Sequence, residues 1–218
     1  MTWLRHNRML LLELSGEHLR QALLPIVAGL ALALPLGWAA HRFHRIRGPL
    51  LAGVSVAYVV PSLAVFAVLP PLLGISFLSE ANLLIALTVY AVATLTRYVA
   101  DGLAAVDPAA RSAADAVGFS PRQRLLSVEL PLAGPVILAG LRVTAMSTIS
   151  LTTVGALIGT RNIGYLLTDG YQRQITAEVV AGIVAVMIIA LVVDQALAWA
   201  GRVAMPWQAQ AQAQAVAK

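Results

Sequence analysis

Asp107-Pro108-Ala109-Ala110-Arg111-Ser112-Ala113-Ala114-Asp115-Ala116-Val117-Gly118-Phe119-Ser120-Pro121 sits in the interval Arg97 to Pro131, where the hydropathy of an otherwise apolar chain collapses. Asp107 is a good N-cap because its carboxylate can accept from free backbone N–H groups, and Pro108 is tolerated at the first helical position. The alanine-rich run that follows suits a helix of about 15 Å at 1.5 Å per residue. Gly118 supplies the left-handed residue that ends it. Ser120-Pro121 repeats the cap-plus-proline signal and opens a second short helix through about Val128, which Leu130-Pro131 is expected to break, since the residue before a proline avoids helical geometry. The interval therefore reads as a helix, a glycine corner and a second helix: a compact knob whose first helix presents Ala113, Ala114 and Ala116 to an approaching surface.

Outside the knob the chain is lipid-like. Of 218 residues, 59% are hydrophobic and 11% charged, with a mean hydropathy of +0.81. Soluble domains are about 45–50% apolar and about 25% charged, so lipid is the solvent for much of this surface. A hydrocarbon core of roughly 30 Å takes about 20 apolar residues of helix. Five stretches qualify: 21–40, 48–79, 81–96, 143–160 and 179–193. Glu13 and Glu17 precede the first one, which is also too long for a signal-peptide core. Residues 1–20 read as an amphipathic segment resting on the outer surface, residues 21–200 as the membrane domain with a coupling loop at 101–131, and residues 201–218 as a tail. The absence of cysteine excludes disulfides and thiolate chemistry.

Basic residues mark the cytoplasmic side of short loops. Arg42, Arg45, Arg47, Arg97, Arg111, Arg122, Arg124, Arg202 and Lys218 fall on the knob side, against Arg5, Arg8, Arg20, Arg161 and Arg173 on the other. This predicts a multi-pass protein of the plasma (inner) membrane with the N-terminus outside, the knob and C-terminus inside, and a basic balance serving membrane topology, with no nucleic acid as partner.

Ser112-Ala113-Ala114, three residues, Gly118, nine residues, then Val128-Glu129-Leu130-Pro131 resembles the EAA loop of ABC importer permeases, which reads Glu-Ala-Ala, three residues, Gly, nine residues, Ile, one residue, Leu-Pro. Ser112 stands where the family has Glu and Val128 where it has Ile. Tyr58 to Ala64, Gly134 to Arg142, Ala156 to Gly159 and Ile163-Gly164 are similar to stretches of the osmoprotectant branch (glycine betaine, carnitine, choline), so that the resemblance covers roughly residues 20–200. It implies an all-α permease of about five transmembrane helices plus a short cytoplasmic coupling helix. It implies as partners ABC ATPase subunits, a second permease subunit, identical or homologous, and an extracytoplasmic substrate-binding protein. The chain has no Gly-x4-Gly-Lys-Ser/Thr loop, so ATP and its magnesium are expected on the partner ATPase, and no cofactor or metal on this chain.

The resemblance places ATPase docking on Ser112, Ala113, Ala114, Asp115, Gly118, Arg122, Leu130 and Pro131; Asp115, one turn beyond Ser112, is a candidate substitute for the missing Glu. For the translocation pathway the candidates are Pro61-Ser62, which break a span, and Thr144, Thr148 and Thr152, spaced four apart on one helix face. The same face, with Gly140, Gly155 and Gly159, equally suits close helix packing. Arg142 and Asp194 are ionisable groups in or at the edge of spans, the first a functional candidate by default. Two alternatives stay open: a secondary transporter driven by an ion gradient, although no internal repeat and no mid-span carboxylate supports it, and an ABC permease for another small solute such as an amino acid.

Overall fold

The computed structural model describes residues 2–207, and among these every regular element is helical. In chain order they are α1 (Thr2–His6), α2 (Arg8–Arg42), α3 (His44–Val59), α4 (Ser62–Leu73), α5 (Glu80–Ala104), α6 (Pro108–Ala116), α7 (Pro121–Arg124), a π-helical turn (Leu125–Glu129), α8 (Leu130–Thr152), a 3-10 turn (Thr153–Ile158), α9 (Gly164–Gln172) and α10 (Thr176–Ala204). Four helices are long and apolar enough to cross a membrane: α2, α5, α8 with its flanking turns, and α10. The bent pair α3–α4, which turns through 107°, brings the number to five. The expected tail at Gln208–Ala215 lies outside the described residues.

The centre is the packing of α2, α5 and α8. On α2, Ala22, Gly29, Ala33, Gly37 and Ala40 form a buried seam of small residues. Small residues let backbones approach closely where lipid gives no hydrophobic drive between helices. The approach is tight: a Cβ on Gly29 would stand 2.5 Å from Ala91 Cβ, and one on Gly37 2.5 Å from Val99 Cβ. Pro25 and Pro35 lie within α2 without ending it, as neighbouring helices permit in a membrane bundle. Apolar clusters fill the two ends: Val99, Leu103, Val106 and Ala133 beside the knob, and Leu14, Ile163 and Leu166 at the opposite end.

Several expectations are corrected. Helix α2 runs unbroken through residue 20, with Leu14 and His18 buried against the far end of the bundle. Helix α5 continues to Ala104, so Arg97 and Asp101 are helical and not part of a loop. Leu130-Pro131 does not break the second knob helix. Proline removes a donor and its ring crowds the carbonyl four residues back; here the preceding turn widens, with the Leu130 N–H bonding to Leu125 O, and α7 passes through it into α8. The kink at Pro61 is a sharp fold between two short helices. It leaves the Val60 carbonyl unpaired by helix, and the Tyr90 hydroxyl donates to it.

Candidate functional site

The knob is built as its local chemistry dictates. Asp107 Oδ1 accepts from Ala109 N at 2.8 Å, and Pro108 follows at the first helical position. Gly118 takes φ +87°, with nothing within 4 Å of where a side chain would begin. At this φ an L-residue is penalised sterically, which is why glycine stands at the corner. Ser120 and Gln123 form a reciprocal capping box, Ser120 N donating to Gln123 Oε1 at 2.9 Å and Gln123 N to Ser120 Oγ at 3.4 Å. A chain of ion pairs then ties the two helices to the bundle. Arg124 meets both carboxylate oxygens of Asp115 at 2.6 and 2.7 Å and Glu129 Oε1 at 3.0 Å. Arg111 stands 3.6 Å from the same Glu129 oxygen and donates to the Leu103 carbonyl at the end of α5.

This geometry sorts the docking candidates. Ser112, Ala113, Asp115, Gly118 and Arg122 are exposed, and Val117 joins them at 77% exposure. Ala114 is buried at 6%, so the expectation that it is exposed is corrected: it faces the protein and not the docking surface. Leu130 and Pro131 are half-buried at the base of the knob. Asp115 is engaged by Arg124 within the chain, so it stiffens the corner and is not a free carboxylate standing in for the one absent at Ser112. Beside the knob lies a polar cleft of about 380 Å³, lined among others by His41, Arg42, His44, Arg47, Arg111 and Glu129.

The pathway candidates separate equally clearly. Thr144, Thr148 and Thr152 are 2%, 2% and 0% exposed. They face the interior of this chain's own bundle, where Thr152 Oγ1 donates back to Thr148 O at 2.8 Å. Their stripe is a packing face, removed from any surface a solute reaches in this conformation. Gly140, on the same helix, receives the ring of Tyr98: a Cβ there would lie 2.2 Å from Tyr98 Cγ. Pro61 is exposed and Ser62 half-buried at the α3–α4 fold. Arg142 and Asp194 find each other across α8 and α10, in a two-pronged pair at 2.7 Å for each contact.

One group went unnoticed in the sequence. Thr94, Arg97, Tyr98 and Asp101 recur on α5 at the spacing of one helix face; with Ser55, Tyr58, Val59, Ala93 and Val143 they line a cleft of about 530 Å³ open to the outside of the bundle. Arg97 donates to Ser55 Oγ at 3.1 Å, and Asp101 stands 3.5 Å from Arg47. Tyr58, 54% exposed, packs edge-on against Tyr90 with ring centroids 6.4 Å apart. The four residues straddle the boundary at Thr96 between the third apolar stretch and the polar interval, which conceals their common face.

Comparison with known proteins adds the family. Residues 29–202 match the family described as binding-protein-dependent transport system inner membrane component. The chain is 31% identical over 206 residues, 94% of each chain, to the glycine betaine/carnitine/choline transport system permease protein OpuCB of Bacillus subtilis (strain 168). It is 31% identical over 196 residues, 90% of this chain and 89% of the relative, to the choline transport system permease protein OpuBB of the same organism. Its fold is similar to a chain of the MetNI methionine ABC transporter in an inward-facing conformation, with a TM-score of 0.80 at 20% identity, covering 90% of this chain and 97% of that one.

Proposed function

The chain belongs to the family of binding-protein-dependent transport system inner membrane components, as a multi-pass permease subunit of an ABC importer, and on that premise we propose that it carries osmoprotectants of the glycine betaine, carnitine and choline class inward. The observation that carries this reading is the similarity to osmoprotectant permeases along nearly the whole chain. The ion-gradient alternative falls with the family assignment.

The division of labour follows from what this chain offers. Separate ATPase subunits hold ATP and magnesium and grip the knob through Ser112, Ala113, Val117 and Gly118, with Arg122 at its edge. Small side chains there admit a close-fitting partner, and the Asp115–Arg124–Glu129–Arg111 chain of charges passes the resulting push to α5 and α8. The sidedness is knob and C-terminus inside, N-terminus outside, supported by the excess of arginines at the knob end. Helix α3 buries no residue within the chain and α4 buries only Phe66 and Pro70; a second permease subunit covers that face. An extracytoplasmic binding protein delivers the solute to the opposite end.

The test is reconstitution. The chain, with its permease partner, ATPase and binding protein in liposomes, should accumulate radiolabelled glycine betaine only when ATP is supplied. Uptake without ATPase overturns the coupling; ATP-driven uptake of amino acids with none of glycine betaine, carnitine or choline overturns the substrate class.

A further inference from the structure

Arg97 on α5 and Arg142 on α8 each lie several residues inside a spanning helix, and their circumstances are opposite. Arg142 is fully engaged by Asp194 through two contacts. Arg97 meets a hydroxyl, Ser55 Oγ, and no carboxylate among the described residues; the acid one turn away, Asp101, stands against Arg47 at 3.5 Å. An ionised group kept in a span without a counter-charge is expensive and calls for a function. Arg97 is exposed into the 530 Å³ cleft that also holds Tyr58, Thr94 and Tyr98. A guanidinium binds a carboxylate through two parallel hydrogen bonds, and the faces of tyrosine rings attract quaternary ammonium groups. Both kinds of group border one opening.

Resting on the osmoprotectant reading above, we infer that this cleft is an intramembrane resting place for zwitterionic osmoprotectants, in which Arg97 takes the carboxylate and Tyr58 and Tyr98 face the methylated ammonium. Glycine betaine and carnitine carry both groups, whereas choline has the ammonium and a hydroxyl but no carboxylate. The cleft therefore distinguishes substrates that the aromatic rings alone would treat alike. Ser55 orients the guanidinium, and Gly140 seats the Tyr98 ring.

The experiment is ATP-driven uptake by the complete importer reconstituted in liposomes, with glycine betaine and choline measured side by side. Arg97→Gln should lower glycine betaine uptake about tenfold while choline uptake stays within about twofold, because the lost partner serves the carboxylate alone. Arg97→Lys should restore much of the glycine betaine rate. Should the glutamine variant not assemble, Tyr58→Leu is measured instead, and both substrates should fall by about threefold or more because both present the ammonium. If the wild type transports glycine betaine but not choline, the comparator is Arg97→Lys, which should recover much of the rate that Arg97→Gln loses. Glycine betaine uptake untouched by Arg97→Gln, equal loss of both substrates with no rescue by lysine, or uptake unmoved by Tyr58→Leu overturns the inference while leaving the osmoprotectant reading intact. A wild-type importer that takes up choline alone overturns the inference and leaves the osmoprotectant reading intact; one that takes up none of glycine betaine, carnitine or choline overturns both.

Discussion

Both ends of the bundle carry ion pairs, Arg20–Glu80 and Arg161–Glu13 at one and Arg124–Asp115 and Arg124–Glu129 at the other, but only the end away from the knob has a buried neutral network beneath them. At the end away from the knob, Asn162 is fully buried; its Nδ2 lies 3.0 Å from Gln21 Oε1, 3.0 Å from Thr152 O and 3.2 Å from Thr160 Oγ1, while its Oδ1 accepts from Gly164 N at 2.8 Å. Nearby, His18 Nε2 lies 3.0 Å from Ile149 O. These neutral groups occupy backbone positions freed where α8 tightens into its 3-10 turn. At the knob end the ties are ion pairs that meet on Glu129, 7% exposed, and run outward to Arg124 and Asp115, 28% and 52% exposed. A buried neutral network fixes one geometry because any orphaned member is costly. A partly wetted ionic one tolerates rearrangement, since exposed pairs contribute little each. One end is an anchor and the other a contact surface.

Four substitutions test that contrast. Asn162→Leu should have the largest effect on stability, about 3 kcal/mol, because it strands several buried partners at once. A much lower melting temperature of the detergent-solubilised protein would show it; an unchanged one would break the contrast. Gly118→Val should cost about 1–2 kcal/mol, confined to the knob, because a β-branched residue resists positive φ. Membrane insertion should persist while co-purification with the ATPase is lost, and unaffected uptake counts against the docking role. Asp115→Asn leaves Arg124 paired with Glu129 alone and should cost only about 0.5 kcal/mol, a difference that fades in high salt as screening replaces the lost pair. Ser112→Glu is the smallest change: it places an exposed carboxylate on the docking face and should tighten ATPase association by about twofold at low salt, in keeping with one exposed pair. A weakening there would show that the face accepts no negative charge.

What could be read in advance follows from the range of the interactions. The apolar runs and the cap-plus-proline signals at Asp107-Pro108 and Ser120-Pro121 are local, and the structure carries them through. The four-residue spacing of Thr144, Thr148 and Thr152 correctly set them on one face, but periodicity says nothing about which way a face points, and theirs points inward. The same arithmetic on Thr94, Arg97, Tyr98 and Asp101 would have marked the open cleft, had the helix not been ended at Thr96 by its first charge. Pairs such as Arg142–Asp194 and His18–Ile149 join residues far apart in the chain, and no local pattern announces them. At Leu130-Pro131 the rule that proline ends a helix met an alternative, the widened turn.

That widened turn has a mechanical consequence. A turn of Leu130 back to Leu125 contains one residue more than ordinary helical winding, so side chains beyond it are out of phase by about 100°. Were it to tighten to regular winding, the whole of α8 would swivel by about that angle relative to the knob, carrying Gly140 away from Tyr98 and Arg142 away from Asp194. Because α7 runs into α8 through this turn with no intervening loop, a rotation of one would be carried into the other.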